Sequence, residues 1–262
     1  MTNAKTPLRG VIFDYGNTLI RLGFGRRLTR TDYADVVARS GAERLARFLA
    51  SKGLLDGGGA AEAFVERYLD VRERNRARAD QTGREITAAE SLRSTLGTVS
   101  AAALTGEIQR EAVAESFLPE IEAVEALPGA GEALEFLRRR RVRIALLSNC
   151  TDGAYVAVVM RRLGWERYFD PFVTSADLGV RKPLPGAFRP VLDRWAMKPD
   201  EIVMIGDSLY HDIAGANRMG IRTIHLTAIE SPGDAAHRTS IRPDWVVSSH
   251  AELQRLLDPL LG

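Results

Sequence analysis

Two acidic clusters, far apart in a 262-residue chain, each follow a short apolar run. Asp14 comes directly after Val11-Ile12-Phe13 and is followed by Tyr15-Gly16-Asn17-Thr18. Asp207 comes after Ile202-Val203-Met204-Ile205 and Gly206, with Asp212 a little further on. Between the clusters stand Ser148-Asn149, directly after Leu146-Leu147, and Arg181-Lys182-Pro183. A carboxylate at the tip of a buried strand is poorly explained by packing, and strand ends in open α/β sheets are where ligands bind. An ionised carboxylate can attack phosphorus, which splits one hard displacement into two easier ones, and an adjacent cation keeps it ionised. Several carboxylates together suit magnesium, a hard cation that takes oxygen ligands and keeps several waters. A lysine brings a point positive charge to a phosphoryl group, and Pro183 restricts the Lys182 backbone to extended forms. A hydroxyl at Ser148 can donate to an oxygen on which charge develops. The four sites read together as one phosphate-and-metal pocket.

Those groups meet only if the apolar runs before them are neighbouring strands. Residues 8–13 read as a short buried strand. From about residue 21 to residue 125 the texture changes to Ala, Arg and Glu, with apolar residues at helical spacing. Leu45, Phe48 and Leu49 form one stripe, Phe64, Tyr68 and Val71 another, and Ile86, Leu92 and Leu96 a weaker third. Gly57-Gly58-Gly59 separates two of these helices. After Leu127-Pro128-Gly129 helices and strands alternate. Helices are expected near 130–140, 153–163, 187–195 and 212–219, and strands at 142–147, 172–174, 202–205, 222–226 and 245–247. Ser249 and Glu252 have capping-box spacing for a final helix, and residues 230–243 read as an exposed loop. Such alternation predicts an α/β fold, a parallel sheet covered on both faces. Residues 1–20 and 126–262 would form it, with a helical bundle at 21–125 inserted after the first strand.

Bulk properties narrow the function classes. Hydrophobic residues make up 45% of the chain and charged residues 27%, ordinary for a globular protein. A formal net charge of +2 gives no reason to expect nucleic acid or a membrane surface as a partner. Cys150 is the single cysteine, so no intrachain disulfide forms, which fits a reducing compartment. No Cys/His spacing suggests zinc. Residues 1–10 lack the apolar core of a signal peptide, and no apolar run approaches the roughly 18–20 residues that span a bilayer. The expectation is a soluble cytoplasmic protein with a small-molecule partner; nothing in the sequence speaks to its oligomeric state.

In the order and character of its four motifs the chain resembles the haloacid dehalogenase superfamily, mostly phosphatases. The resemblance covers the first strand and residues 127 to about 226, while the insert matches only in position, as an α-helical cap. It implies a Rossmann-like core, a Mg2+ cofactor, a small phosphorylated metabolite as substrate and an aspartyl-phosphate intermediate. Asp14 would be the nucleophile and a metal ligand, together with Asp207 and the backbone carbonyl of Gly16. Asp212 would hold a metal-bound water or steady Lys182; a plainer role is to start its helix, where negative charge suits the dipole. Ser148 would donate to a phosphoryl oxygen, Asn149 would position backbone or substrate, and Lys182 would neutralise Asp14 and the transferring group. A turn-forming Ser-Asn pair is the plainer reading of Ser148 and Asn149. Hinges near Ile20 and Ala126 would let the cap move.

One position departs from the family pattern. Phosphatases of the family usually carry a second aspartate two residues after the nucleophile, which protonates the leaving group and then activates water. Here that residue is Gly16. Acid–base catalysis is typically worth about 10²–10⁴-fold, or roughly 3–5 kcal/mol of barrier. The expected substrates are therefore those whose leaving groups need little protonation: acyl, anomeric sugar or aryl phosphates. His211 is a candidate replacement acid, and Arg21, Arg26, Arg27 and Arg30 are candidate substrate contacts, although such clusters are commonly solvated faces. The run Arg138-Arg139-Arg140-Arg141 suits a helix end. Other readings are a metal-free 2-haloacid dehalogenase, against which the acidic pair Asp207 and Asp212 argues, and a catalytically weak binding or regulatory member of the same fold. A carbon–phosphorus hydrolase would want a cap lysine, and the insert holds only Lys52.

Overall fold

The computed structural model describes residues 6–23, 33–56, 58–231 and 233–261. The chain divides into two compact units, one of Met1–Arg21, Ala126–Asn149 and Met160–Gly262, the other of Leu22–Glu125 with Cys150–Val159. The strands are β1 Gly10–Phe13, β2 Ile20–Leu22, β3 Val124–Ala126, β4 Arg143–Ser148, β5 Phe172–Thr174, β6 Ile202–Gly206, β7 Arg222–Leu226 and β8 Trp245–Val247. Six of them form one sheet in the order β5-β4-β1-β6-β7-β8, with every adjacent pair parallel. This is a Rossmann-like α/β unit. β2 and β3 pair as a separate two-stranded ribbon.

The apolar runs form central strands because both of their faces are covered. Alternate residues of a strand point to opposite sides. On one side Ile12, Ala145, Leu147, Ile202 and Met204 pack with Ala187, Phe188, Val191 and Trp195, which belong to the helix Pro185–Trp195. The intervening residues, Val11, Phe13, Ile144, Leu146, Val203 and Ile205, are equally buried on the side of the helices Ala130–Arg139 and His250–Leu257. Burial on both faces is why these strands read as unbroken apolar runs rather than as alternation. Each large side chain so placed contributes about 1.5–3 kcal/mol relative to exposure.

Register decides where the polar residues after those runs end up. Phe13 is level with Leu146 of β4 on one side and Ile205 of β6 on the other. Asp14 therefore leaves the sheet beside Leu147 and Gly206, with its N–H donating to the Ile205 carbonyl at 2.9 Å. The chain adds β4 and β5 on one side of β1, then β6 to β8 on the other. That reversal opens a crevice beyond the carboxyl ends of the strands flanking β1.

Several local expectations shift. β4 runs to Ser148 and β6 to Gly206, one residue further than read, so the sheet reaches the polar residues directly. The helix expected at 212–219 starts earlier, as a π-helical stretch Leu209–Ala214 leading into Gly215–Arg218, because the Ser208 side chain accepts the His211 N–H at 3.2 Å. Such π stretches are frequent at functional sites. Ser249 does cap the last helix, accepting from the Glu252 N–H, while the Glu252 carboxylate reaches the N–H of Ser248 rather than that of Ser249. Residues 230–243 are not uniformly exposed: they contain the short turn Asp234–Ala236, in which Asp234 is 3% exposed.

The second unit is helical, with helices Arg39–Ser51, Gly59–Thr82, Ala88–Ala103 and Gly106–Ala123. Leu45 and Leu49 are buried, as are Phe64, Tyr68 and Val71; the Phe64 and Tyr68 rings stack at 5.9 Å. Of the predicted glycine punctuation, Gly58 precedes the second helix with a positive φ, and Gly57 lies outside the described residues. Cys150–Val159, assigned from sequence to the sheet unit, groups with the helices instead. The Thr151 carbonyl accepts the Ala88 N–H at 2.8 Å, and the Tyr155 ring stacks on Phe117 at 4.8 Å. Among the described residues no helix is long and apolar enough to cross a membrane.

Candidate active site

Lys182 is the centre of the polar cluster at the strand ends. Its ammonium lies 2.6 Å from Asp14 Oδ1 and 2.7 Å from Asp212 Oδ1, and it donates to the Leu147 carbonyl at 2.6 Å. Two of its hydrogens thus have hydrogen-bond acceptors, and Asp212 Oδ1 faces it as an ion pair. The side chain is 1% exposed, and a charge so buried persists only when paired and hydrogen-bonded. Burial alone would lower the Lys182 pKa; the charges of Asp14 and Asp212 and their hydrogen bonds outweigh it and hold the group above its ordinary range. The loop that carries it is fixed by Asn149, whose Nδ2 donates to the Lys182 carbonyl and whose Oδ1 accepts the Lys182 N–H, both at 2.9 Å.

Three carboxylates surround this one cation. One oxygen from each of Asp14, Asp207 and Asp212 lies within 4.8 Å of the others, and all three residues are buried. Burial pushes the Asp14 carboxyl up; Lys182 opposes the shift and Asp212 adds to it. Asp207 is pushed up further, by burial and then by the charges of Asp14 and Asp212, against the Asn17 hydrogen bond and Lys182. Burial is the largest cause of both shifts, and the three carboxylates share one ammonium. An all-oxygen donor set with uncompensated negative charge fits a hard divalent cation. Asn17, which adopts a left-handed backbone, donates its Nδ2 to Asp207 Oδ2 at 3.2 Å, and Asp212 Oδ2 accepts the Ser208 N–H at 3.0 Å.

The two glycines of the acidic motifs differ in what they permit. At Gly206 a Cβ would stand 2.2 Å from Asp212 Oδ2 and 2.6 Å from its Cβ, so Asp212 occupies the space that only glycine leaves open. At Gly16 a Cβ would meet nothing within 4 Å.

A family model of haloacid dehalogenase-like hydrolases matches residues 8–220, which includes every residue of this cluster. The chain belongs to that family. Among curated relatives it is 38% identical to the ribulose-1,5-bisphosphate 5-phosphatase of Halopiger xanaduensis over 52% of this chain and 59% of that protein. The chain spans at most 59% and as little as 28% of the length of these curated relatives. A solved 2-haloacid dehalogenase from Pseudomonas syringae superposes with a TM-score of 0.63 at 24% identity, covering 96% of this chain and 99% of that one. The HAD-hydrolase YfnB from Bacillus subtilis, solved bound to magnesium, gives 0.57 at 20% identity, over 97% and 100%. These two likenesses speak to the fold alone.

The other predicted residues of this haloacid dehalogenase-like hydrolase fall as follows. Ser148 ends β4 and is buried, level with Thr174 of β5. Gly16 lies in the turn after Asp14 and bridges to Ile20. The His211 ring sits against Ser208, with Nδ1 3.2 Å from the hydroxyl, and edge-on to Tyr210. Arg21 is in β2, and Arg26, Arg27 and Arg30 lie outside the described residues. Arg138 and Arg139 pair with Glu135, and Arg140 with Asp258; the first two hold the Glu135 carboxyl down to about 2. Lys52 pairs with Glu111 and covers the Phe48 ring inside the helical unit. The Cys150 thiol donates to the Asp152 carbonyl. Sequence reasoning missed the contact of Asn17 with Asp207. Asn17 stood inside the quoted motif, and its tolerance of a left-handed backbone was the available signal.

Proposed function

We propose that the protein is a magnesium-dependent phosphatase that hydrolyses a small-molecule phosphate monoester through an aspartyl-phosphate on Asp14. The observation that carries this is Lys182 Nζ at 2.6 Å from Asp14, inside a triad of carboxylates close enough to share one ion. Asp14, Asp207 and Asp212 would hold the ion, with the Gly16 carbonyl as the proposed backbone ligand. Magnesium bound there would offset the charge of the carboxylates and of the phosphoryl oxygens.

In the first step a carboxylate oxygen of Asp14 bonds to phosphorus as the bond to the leaving oxygen breaks. In the second, water attacks the acyl phosphate, releases inorganic phosphate and restores Asp14. Lys182 keeps Asp14 ionised and oriented before the first step and balances phosphoryl charge during both. The Ser148 hydroxyl, at the end of β4, would donate to a phosphoryl oxygen. Asn149 acts through the backbone of Lys182, where both ends of its amide are engaged.

The substrate class follows from Gly16. With no carboxyl two residues after the nucleophile, acyl, anomeric sugar and aryl phosphates would turn over faster than simple alkyl phosphates. The name of the Halopiger relative supports a sugar phosphate as substrate; a sugar 5-phosphate is an alkyl ester, so the leaving-group preference rests on Gly16 alone. The test is a panel of phosphate monoesters with and without Mg2+, with Asp14→Asn as the control. Turnover that needs both the ion and Asp14 is expected. Halide release from 2-haloacids without added metal, in the absence of phosphate release, would replace this reading with dehalogenation.

A further inference from the structure

We propose that His225 and Asp234 are positioning residues for the turn at residues 207–209, which presents the Asp207 carboxylate to the metal; this rests on the phosphatase reading above. Three consecutive backbone groups of that turn are each engaged by a side chain from elsewhere in the chain. His225 Nε2–H donates to the Asp207 carbonyl at 2.9 Å. The Ser208 N–H donates to Asp212 Oδ2 at 3.0 Å. The Leu209 N–H donates to Asp234 Oδ1 at 2.8 Å. The other oxygen of Asp234 is 2.9 Å from the same His225 nitrogen, so imidazole and carboxylate form one brace around the turn. Two oxygen acceptors face Nε2, so that nitrogen carries its hydrogen whether or not the ring is charged.

The sheet puts the brace in place. His225 is level with Gly206 across the β6–β7 pair, so the imidazole stands beside the residue that precedes Asp207. Asp234 reaches the turn from residues 230–243, the segment whose polar composition reads as a solvated loop. Docking that segment needs no carboxylate with both oxygens committed at 3% exposure. Magnesium demands near-ideal geometry at about 2.0–2.1 Å, so a ligand on a turn free to rotate binds it weakly. Outer partners of this kind typically carry about 10–100-fold in metal affinity.

The test is Mn2+ binding to the whole chain without substrate, read by electron paramagnetic resonance. Manganese suits the same oxygen donors and gives a signal independent of turnover. His225→Phe should weaken Mn2+ binding by at least about 10-fold, whereas His225→Gln, which keeps an N–H donor at similar reach, should stay within about threefold of the parent. KM for a phosphate substrate at saturating metal should not move in either variant. Parent-like Mn2+ affinity in His225→Phe overturns the inference while leaving the phosphatase reading intact. If His225→Phe does not fold, Asp234→Asn decides by the same affinity comparison. A parent chain that binds no Mn2+ at all refutes the phosphatase reading itself, and this inference with it.

Discussion

Gly16→Asp should add a general acid to the proposed site. The structure allows the substitution, since a Cβ there meets nothing within 4 Å and the glycine is not in the left-handed region. No strain has to be subtracted from the gain. A positioned general acid is worth about 10²–10⁴-fold, equivalent to roughly 3–5 kcal/mol. Ordering a new, otherwise free side chain costs about 1 kcal/mol. The remaining 2–4 kcal/mol or so corresponds to about 30- to 1,000-fold in kcat/KM on alkyl phosphates. Aryl phosphates, whose leaving groups need no proton, should change by less than about threefold, because an acid contributes only where a proton is transferred in the transition state. The assay is phosphate release from matched alkyl and aryl esters at saturating Mg2+, in multiple- and single-turnover modes. No gain on the alkyl ester would mean that another residue already supplies the proton. An equal gain on both would mean that the new carboxylate acts on binding, and the leaving-group argument would fall with it.

Lys182→Met leaves three buried carboxylates facing one another, and breaking a buried pair of this kind costs about 3–5 kcal/mol. Urea unfolding in a chelator should show the loss and added Mg2+ should recover part of it; an unchanged midpoint in chelator would refute the charge argument. Gly206→Ala drives a Cβ into the Asp212 carboxylate, so turnover should fall about 10- to 100-fold, the scale of disturbing a group that orients a metal site, while circular dichroism stays native. Wild-type turnover in that variant would show that Asp212 can move without consequence. Burial holds the His250 pKa below its ordinary 6.5, against its contacts with the Thr18 and Pro128 backbones. The unfolded chain then binds the proton more readily, so this contribution to stability is fully present above pH 6.5 and is lost as pH falls through the lower native value. His250→Gln should flatten the fall in unfolding midpoint across that window, and an unaltered pH profile would exclude His250 as its source.

What the sequence made legible followed from burial on both faces of the sheet. Unbroken apolar runs mark central parallel strands, and polar residues directly behind them must sit at strand ends. That logic reaches Asp14, Ser148 and Asp207. It does not reach Lys182, which lies in a loop and meets Asp14 across 168 positions; only its place in a familiar ordered set of motifs marked it. It fails for His225, a polar residue inside the strand Arg222–Leu226 rather than behind it. It fails for Asp234, which stands in a segment read as an exposed loop and whose burial depends on how residues 230–243 fold back onto the turn. It fails also for Cys150–Val159, where the partners that decide the grouping, Ala88 and Phe117, are distant in sequence.

The misses share a physical cause. Nucleophile, cation and metal ligands need particular side chains at strand ends, and strand ends are visible as changes in hydrophobic pattern. The groups that hold those ligands still act on backbone atoms. Asn149 grips the Lys182 peptide groups, His225 the Asp207 carbonyl and Asp234 the Leu209 N–H. A backbone donor or acceptor is present at almost every position, so nothing in the gripped residue announces its partner. Supporting contacts of this kind are set by register and loop path, and they become visible only once strands and turns have been placed.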